Sequence, residues 1–245
     1  MKPFSLALTF LLTIAASAQA QTPNAAGLDV SDLPIVEARA TSPVGQTIAL
    51  FISGDGGWAK IDRGVTAELN ASGISVIGLD SRAYLRQEKT PERAAADVGR
   101  LARAYMARWN ATSLVLVGYS RGADMMPFVI NRLPADLRAR TVEVALLGLA
   151  PTVNFHFHWQ DIVRDVKRAD DRPTAPELAR VKAALPAGAR VMCVYGTNED
   201  VSGCRDGAAA LGVLVFSRPG GHDLGGDTKP VGALVVGEMP KGSIQ

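Results

Sequence analysis

This sequence of 245 residues has no excess of charge of either sign and no long apolar run after its N-terminus. The 26 basic and 24 acidic residues nearly balance, and there is no basic tract, so nucleic acid and other polyanions are not expected as partners. No later segment approaches the roughly 20 apolar residues that span a bilayer. Internal repeats are lacking too, and the one loose low-complexity segment covers residues 21–27. What remains is a chain suited to fold around one core.

Cysteine and histidine are scarce as well. His156 and His158 alternate with aromatic residues, as in a strand or sheet edge, but have no third ligand recurring nearby, so neither a metal nor another cofactor is expected. We expect Cys193 and Cys204 to form a disulfide that closes the loop 194–203 and ties a strand to the start of the next helix. Closing so short a loop contributes about 2 to 3 kcal/mol. A catalytic thiol is the alternative, but neither cysteine has a histidine nearby in the sequence.

The N-terminus has the features of a secretory signal peptide. Lys2 precedes an apolar run at residues 4–16, and Ala18-Gln19-Ala20 has the small-x-small form that signal peptidase cuts. A membrane anchor is the alternative, and it requires a longer apolar run. We therefore expect a signal peptide at residues 1–20 with cleavage after Ala20. A leader and first edge segment at residues 21–45 and a single domain at residues 46–245 would follow.

Short apolar runs alternate with helical patterns along the rest of the chain. The clearest helix has Thr90 as its cap and Pro91 at its first position, and apolar residues recur at helical spacing until Trp109. The apolar runs are nearly continuous, as in parallel strands buried on both faces, and occupy residues 47–52, 74–79, 113–117, 142–149, 190–195 and 213–216. This alternation predicts an α/β fold: a doubly wound, mostly parallel sheet with helices on both faces.

The most informative motif is Gly118-Tyr-Ser120-Arg-Gly122. It stands directly after the run 113–117 and before the helix-forming residues 123–133. A sharp turn between a strand and a helix holds a serine in strained geometry and lifts its Oγ clear of the sheet edge. The glycines on either side let strand and helix approach closely. The sequence therefore predicts that Ser120 is a nucleophile.

Two later loops follow predicted strands at the places where the partners of such a serine belong. Sites in open α/β sheets lie beyond the carboxyl ends of the strands. The loop at residues 196–200 holds two possible acids: Glu199 has the commoner spacing, and Asp200 is the commoner residue type. His222 lies in a glycine-rich turn after the last strand and is the expected base. The chain order serine, acid, histidine fits this arrangement.

A glycine-rich turn, Ser53-Gly-Asp55-Gly56-Gly-Trp58, follows the first strong strand. A turn at this place supplies backbone N–H groups to an oxyanion hole, together with the residue after the nucleophile. The expected donors are the N–H of Arg121 and those of Asp55 and Gly56. A flexible turn without such a role is the alternative.

Taken together, these motifs resemble the bacterial virulence protein VirJ and the related carboxyl-terminal domain of AcvB, over roughly residues 46 to 230. The resemblance implies an α/β-hydrolase fold, a periplasmic location and, for AcvB-like members, serine-dependent hydrolysis of aminoacylated phosphatidylglycerol such as lysyl-phosphatidylglycerol. VirJ-like members are associated instead with type IV secretion, which implies a binding role. Arg121 stands where family members often have an aromatic residue. Further motifs that carry the resemblance are Gly78-Leu-Asp80-Ser81, Asn131-Arg-Leu-Pro134, Pro219-Gly-Gly-His222 and the cysteine loop.

An aminoacyl substrate carries an ammonium group, which a carboxylate near the site would bind. Asp55, Asp80 and Asp124 are placed near strand ends by their motifs, and each has a structural alternative as a turn, strand-end or helix-cap residue. We also expect peripheral contact with the inner membrane. A general carboxylesterase or thioesterase is the third functional class, because a fold alone does not decide function. The candidates for an apolar, substrate-facing patch, with ordinary core packing as the alternative, are Trp58, Met125, Met126 and Phe128.

Overall fold

A computed structural model describes residues 29–158 and 168–240. The predicted signal peptide and its cleavage site after Ala20 lie outside the described residues. Within the described ranges, no helix combines the length and the apolar character needed to cross a membrane.

The structure is built on one seven-stranded sheet with a two-stranded ladder beside it. The strands are β1 (Ile35–Ala38), β2 (Thr47–Ile52), β3 (Ser75–Leu79), β4 (Ser113–Tyr119), β5 (Thr141–Leu147), β6 (Thr152–Val153), β7 (Arg172–Pro173), β8 (Arg190–Gly196) and β9 (Leu214–Arg218). The large sheet has the order β1-β3-β2-β4-β5-β8-β9. Only the edge strand β1 is antiparallel to its neighbour within this sheet, which confirms the expected, mostly parallel arrangement.

Helices cover both faces of the sheet, as the sequence predicts. They are α1 (Lys60–Ala71), α2 (Ser81–Tyr84), α3 (Pro91–Arg108), α4 (Arg121–Arg132), α5 (Ala135–Arg140), α6 (Ala175–Ala184) and α7 (Thr228–Glu238). The apolar side chains of α1 and α7 form a core with one face of the sheet, and those of α3, α4 and α6 form a second core with the other face.

The strand β2 shows why these runs are continuously apolar. Ile48, Leu50 and Ile52 belong to the core that holds α3 and α4, whereas Ala49 and Phe51 belong to the core that holds α1 and α7. Successive side chains of a strand point to opposite faces, and here both faces are buried. An alternating pattern would leave polar groups inside one of the two cores.

The predicted elements are confirmed, with ends that differ by one or two residues. The N–H of Arg93 donates to Thr90 Oγ1 at 3.1 Å, so Thr90 caps α3 as expected. Two expectations are wrong. Cys204 lies in a turn that precedes the next helix, a 3-10 helix at Ala208–Leu211, and not at the start of that helix; His156 and His158 lie outside the strands.

The strand order changes direction between β2 and β4, which are neighbours in the sheet. From β2 the chain proceeds to β3 on one side, and from β4 it proceeds to β5 on the other. Loops at such a switch point separate and leave room for a ligand. The glycine-rich turn after β2 and the serine after β4 therefore lie side by side.

Candidate functional site

Ser120 occupies a strained turn between β4 and α4. Its backbone has φ 51° and ψ −120°, in the positive-φ region that non-glycine residues rarely adopt. The N–H of Ser120 donates to the carbonyl of Leu147 at 2.8 Å, which fastens the turn to β5. Glycine is required at both flanks, because a Cβ on Gly118 would lie 2.5 Å from the carbonyl of Gly122, and one on Gly122 would lie 2.0 Å from the carbonyl oxygen of Ile52.

The structure brings His222 and Glu199 to this serine. His222 Nε2 lies 2.8 Å from Ser120 Oγ, and His222 Nδ1 lies 2.9 Å from Glu199 Oε1. A carboxylate only accepts hydrogen bonds, so Nδ1 carries the proton and Nε2 is left to accept from Ser120. The hydrogen bond to Glu199 raises the pKa of His222, although burial opposes that rise. The side chain of Glu199 is 5% exposed and that of His222 51% exposed, so the acid is buried behind an accessible base.

The loop at residues 196–200 presents Glu199, and not Asp200, to the histidine. The N–H groups of Thr197 and Asn198 donate to the carbonyls of Arg218 and Gly220, each at 2.8 Å, which draws this loop against the one that carries His222. Gly196 permits the approach, because a Cβ there would lie 1.9 Å from the carbonyl oxygen of Gly221. Asp200 is exposed, and its carbonyl accepts from Arg205.

The predicted disulfide between Cys193 and Cys204 is confirmed. Both residues are fully buried, and the bond closes the loop that holds Glu199. Arg205 adds a second constraint, since its guanidinium donates to the carbonyl of Glu199 at 2.8 Å. The disulfide and the hydrogen bond from Arg205 together hold the loop that carries Glu199.

The glycine-rich turn lies against the serine, where donors to an oxyanion would have to be. The N–H of Gly57 donates to the carbonyl of Gly54 at 2.9 Å and closes the turn around Asp55 and Gly56. A Cβ on Gly54 would lie 3.2 Å from Ser120 Cβ, so the turn approaches as closely as a glycine allows. Arg121 begins α4, which places its N–H at the positive end of the helix dipole.

Each carboxylate that the sequence suggests for an ammonium group already has a partner within the protein. Asp55 accepts from the guanidinium of Arg121, with Nε 3.0 Å from Oδ1 and Nη2 3.1 Å from Oδ2. Asp80 caps α2 by accepting from the N–H of Ala83 at 3.0 Å. Asp124 is buried and accepts from the N–H of Ala150 at 2.7 Å, and burial raises its pKa to about 7.

The expectation of an apolar patch is wrong for three of its four candidates. Met125, Met126 and Phe128 are at most 4% exposed and pack within the core around α4. Trp58 is half-buried and packs edge-on against Phe51, with ring centroids 5.4 Å apart. Every residue of α4 from Gly122 to Ile130 is buried, so this part of the helix has no exposed face on which such a patch could form.

Two residues at the site are missed by sequence reasoning. The ring of Tyr119 stacks on that of His222 with centroids 5.7 Å apart, and its hydroxyl donates to the backbone carbonyl of His222 at 3.2 Å. Gly148 has φ 68°, and a Cβ there would lie 3.0 Å from His222 Cε1. Tyr119 lies inside the serine motif, and Gly148 directly follows β5 at the carboxyl edge of the sheet. Both residues could therefore have been identified from their positions in the sequence.

His156 and His158 have ring centroids 4.5 Å apart. Across residues 29–158 and 168–240, no group of three or more histidine, cysteine or acidic side chains is arranged to hold a metal ion.

Solved structures with the same fold include Est1E, a serine hydrolase homologue and a thioesterase domain. Est1E from Butyrivibrio proteoclasticus, solved with ferulic acid bound, has a TM-score of 0.58 and 13% identity, with 85% of this chain and 95% of that chain covered. An alpha-beta serine hydrolase homologue from Coxiella burnetii has a TM-score of 0.58 and 12% identity, covering 84% and 91%. A thioesterase domain from the curacin biosynthetic pathway has a TM-score of 0.53 and 12% identity, covering 82% and 94%.

Identities this low show the fold alone, and the fold is that of the α/β hydrolases, with a serine at the nucleophile turn. The model of the family described as bacterial virulence protein (VirJ) matches residues 46–242. The chain therefore belongs to the VirJ family, as the sequence motifs suggest. No curated protein matches it significantly.

Proposed function

We propose that this protein is a periplasmic serine hydrolase that cleaves the aminoacyl ester of lysyl- or alanyl-phosphatidylglycerol. The observation that carries the proposal is the series of hydrogen bonds from Glu199 through His222 to Ser120 at the carboxyl edge of the sheet. The substrate class and the periplasmic location come from the resemblance to the carboxyl-terminal domain of AcvB, whereas the matching family model describes only a bacterial virulence protein. Contact with the inner membrane is part of the proposal, because the substrate is a membrane lipid.

The first step is acylation of Ser120. His222 Nε2 takes the proton from Ser120 Oγ as the oxygen attacks the ester carbonyl, and Glu199 stabilises the imidazolium that forms. The N–H of Arg121 and those of Asp55 and Gly56 bind the oxyanion. Loss of one such donor raises the barrier by roughly 3 to 4 kcal/mol.

The second step releases both products. The imidazolium of His222 gives its proton to the departing glycerol oxygen, so that phosphatidylglycerol leaves with a free glycerol hydroxyl and the aminoacyl group stays on Ser120. Water then attacks this ester while His222 accepts its proton, and the amino acid is released as Ser120 is regenerated.

The test is release of free amino acid from lysyl- and alanyl-phosphatidylglycerol vesicles by the mature protein. The wild-type protein should release the amino acid. Ser120→Ala should lose at least about a thousandfold in rate, because no nucleophile remains. Ser217→Ala replaces an exposed serine on β9 and serves as the control, which should match wild type. Equal rates for Ser120→Ala and wild type would exclude serine catalysis. No release from folded wild type would favour a binding role linked to type IV secretion.

A general carboxylesterase or thioesterase is a second function with an observation in its favour. Asp55, Asp80 and Asp124 all have partners within the protein, and a simple acyl ester needs none of them. Under this function, 4-nitrophenyl acetate or an acyl thioester would be cleaved at a kcat/KM comparable to that for the aminoacyl lipid. A kcat/KM at least tenfold higher for the lipid would select the first proposal.

A further inference from the structure

The guanidinium of Arg121 connects three segments that meet at the serine. Its Nε and Nη2 engage both oxygens of Asp55 in the glycine-rich turn, and its Nη1 donates to the carbonyl of Asn154 at 3.1 Å. Asn154 follows β6, and Arg121 itself directly follows the nucleophile. One side chain therefore ties the residue after Ser120, the turn after β2 and the segment after β6 to one another.

The ion pair between Arg121 and Asp55 is largely shielded from water. The side chain of Arg121 is 11% exposed and that of Asp55 21% exposed. Solvent screening weakens exposed ion pairs. A guanidinium that forms two hydrogen bonds to a carboxylate away from solvent binds it strongly and fixes the relative orientation of the two groups. Arg103 and Asp136 offer a contrast on the surface, where the side chains are 44% and 55% exposed.

The glycine-rich turn is held at two points: Ser81 Oγ donates to the carbonyl of Gly54 at 2.9 Å, and the guanidinium of Arg121 holds Asp55. Asp55 stands between Gly54 and Gly56, and glycines have no side chains through which a turn could pack against its surroundings. Gly57 has φ 73°, in the left-handed region that the turn requires. A shift of about 1 Å in an oxyanion donor costs on the order of a hundredfold in rate.

We infer that Arg121 is a positioning residue: through its side chain, and separately from its backbone N–H, it holds Asp55 and the glycine-rich turn in register with Ser120. This inference rests on the proposed serine chemistry. It also means that the carboxylate of Asp55 binds the guanidinium of Arg121 and does not bind the ammonium group of a substrate.

The experiment measures phosphonylation of Ser120 in the mature protein by a fluorophosphonate, followed by intact mass. The phosphoryl oxygen of the reagent occupies the oxyanion hole, so the labelling rate reports on the turn without knowledge of the natural substrate. Arg121→Gln keeps the backbone N–H and removes the ion pair with Asp55. Asp55→Asn removes the same ion pair by neutralising the carboxylate. Arg103→Gln is the matched control, since it breaks a surface pair on α3.

We expect Arg121→Gln and Asp55→Asn each to label about 10 to 100 times more slowly than wild type. The loss should fall on the maximal labelling rate and leave the half-saturating reagent concentration unchanged. The double variant should be no slower than the slower single variant, because both changes remove one interaction. Arg103→Gln should label as wild type does.

Wild-type labelling rates in folded Arg121→Gln and Asp55→Asn would overturn the inference and leave the proposed function standing. A rise in the half-saturating concentration alone would also overturn it, because that result assigns Arg121 to ligand contact. Failure of the folded wild type to label would overturn both. Melting temperatures are measured throughout, and should Arg121→Gln not fold, the nearly isosteric Asp55→Asn decides the outcome.

Discussion

At the scale of single residues, the site depends on which of two neighbouring carboxylates faces the histidine. Glu199 is buried and lies 2.9 Å from His222 Nδ1, whereas Asp200 is exposed and offers its backbone carbonyl to Arg205. The sequence leaves both open because the loop has to be folded before either side chain acquires a direction. Backbone hydrogen bonds from Thr197 and Asn198 to the histidine loop give Glu199 its direction.

Glu199→Gln and Asp200→Asn should therefore have very different effects. An amide at position 199 no longer enforces the tautomer in which Nε2 accepts the serine proton, and the corresponding change in a well-studied serine hydrolase costs about 10⁴ in kcat. We expect a loss of at least a hundredfold in ester hydrolysis or Ser120 labelling for Glu199→Gln, and less than threefold for Asp200→Asn. The reverse ranking would show that Asp200 is the acid.

The pH dependence of activity tests the same contact. His222 acts as a base only when neutral, and its hydrogen bond to Glu199 raises its pKa above the ordinary value of 6.5. The protonated, inactive form therefore persists to higher pH, so kcat/KM should rise with pH with a midpoint above 6.5. Glu199→Gln removes the largest cause of this shift and should move the midpoint of the residual rate downward. An unchanged midpoint would mean that another group controls the acid limb.

At the scale of elements, the sequence predicts the strands of the large sheet and the long helices, but it does not predict the short elements. The run at residues 47–52 coincides with β2 because both of its faces are buried and its hydrophobic signal is continuous. The helix α2 has four residues, and β6 and β7 have two each, so they present too little periodicity for a pattern. The 3-10 helix at Ala208–Leu211 has four residues and is likewise too short to give a helical pattern in the sequence.

Loss of the disulfide should lower both the stability of the protein and its activity. Replacement of Cys193 and Cys204 by alanine frees a loop with a sequence separation of 11 residues. The chain-entropy model gives a loss of about 2 to 3 kcal/mol in the free energy of unfolding, measurable by urea denaturation. Because Glu199 lies inside the loop, activity should fall in folded protein too. Unchanged activity would show that Arg205 and the backbone hydrogen bonds hold the acid without the disulfide.

At the scale of the whole molecule, one buried acid opposes folding at high pH. Glu143 on β5 is fully buried, and within the described residues neither of its carboxyl oxygens has a hydrogen-bond partner. Burial raises its pKa to about 8 from 4.5. Between these values the unfolded chain has lost the proton that the folded chain keeps, so the free energy of unfolding falls as pH rises through this window.

Glu143→Gln should remove this pH dependence. The stability gained by the variant over wild type should grow between pH 5 and pH 8 by at most about 1.4 kcal/mol per pH unit. It should be smallest at a pH well below the unfolded-state pKa of 4.5, where the wild-type carboxyl is neutral in both states. Urea denaturation across this range measures it, with the exposed Glu88→Gln as control. A pH-independent difference between Glu143→Gln and wild type would show that the buried carboxyl ionises normally.

The sequence by itself determined the α/β alternation, the serine turn, the histidine loop and the disulfide, because each depends on residues close together in the chain, on a continuous apolar run or on a helical period. Only the tertiary structure decided that Glu199 faces His222 and that Arg121 binds Asp55. The same is true of the positions of Tyr119 and Gly148 beside the imidazole. These contacts join loops from different strand ends. Their geometry follows from the order of strands in the sheet and from backbone hydrogen bonds between loops, which no local pattern encodes.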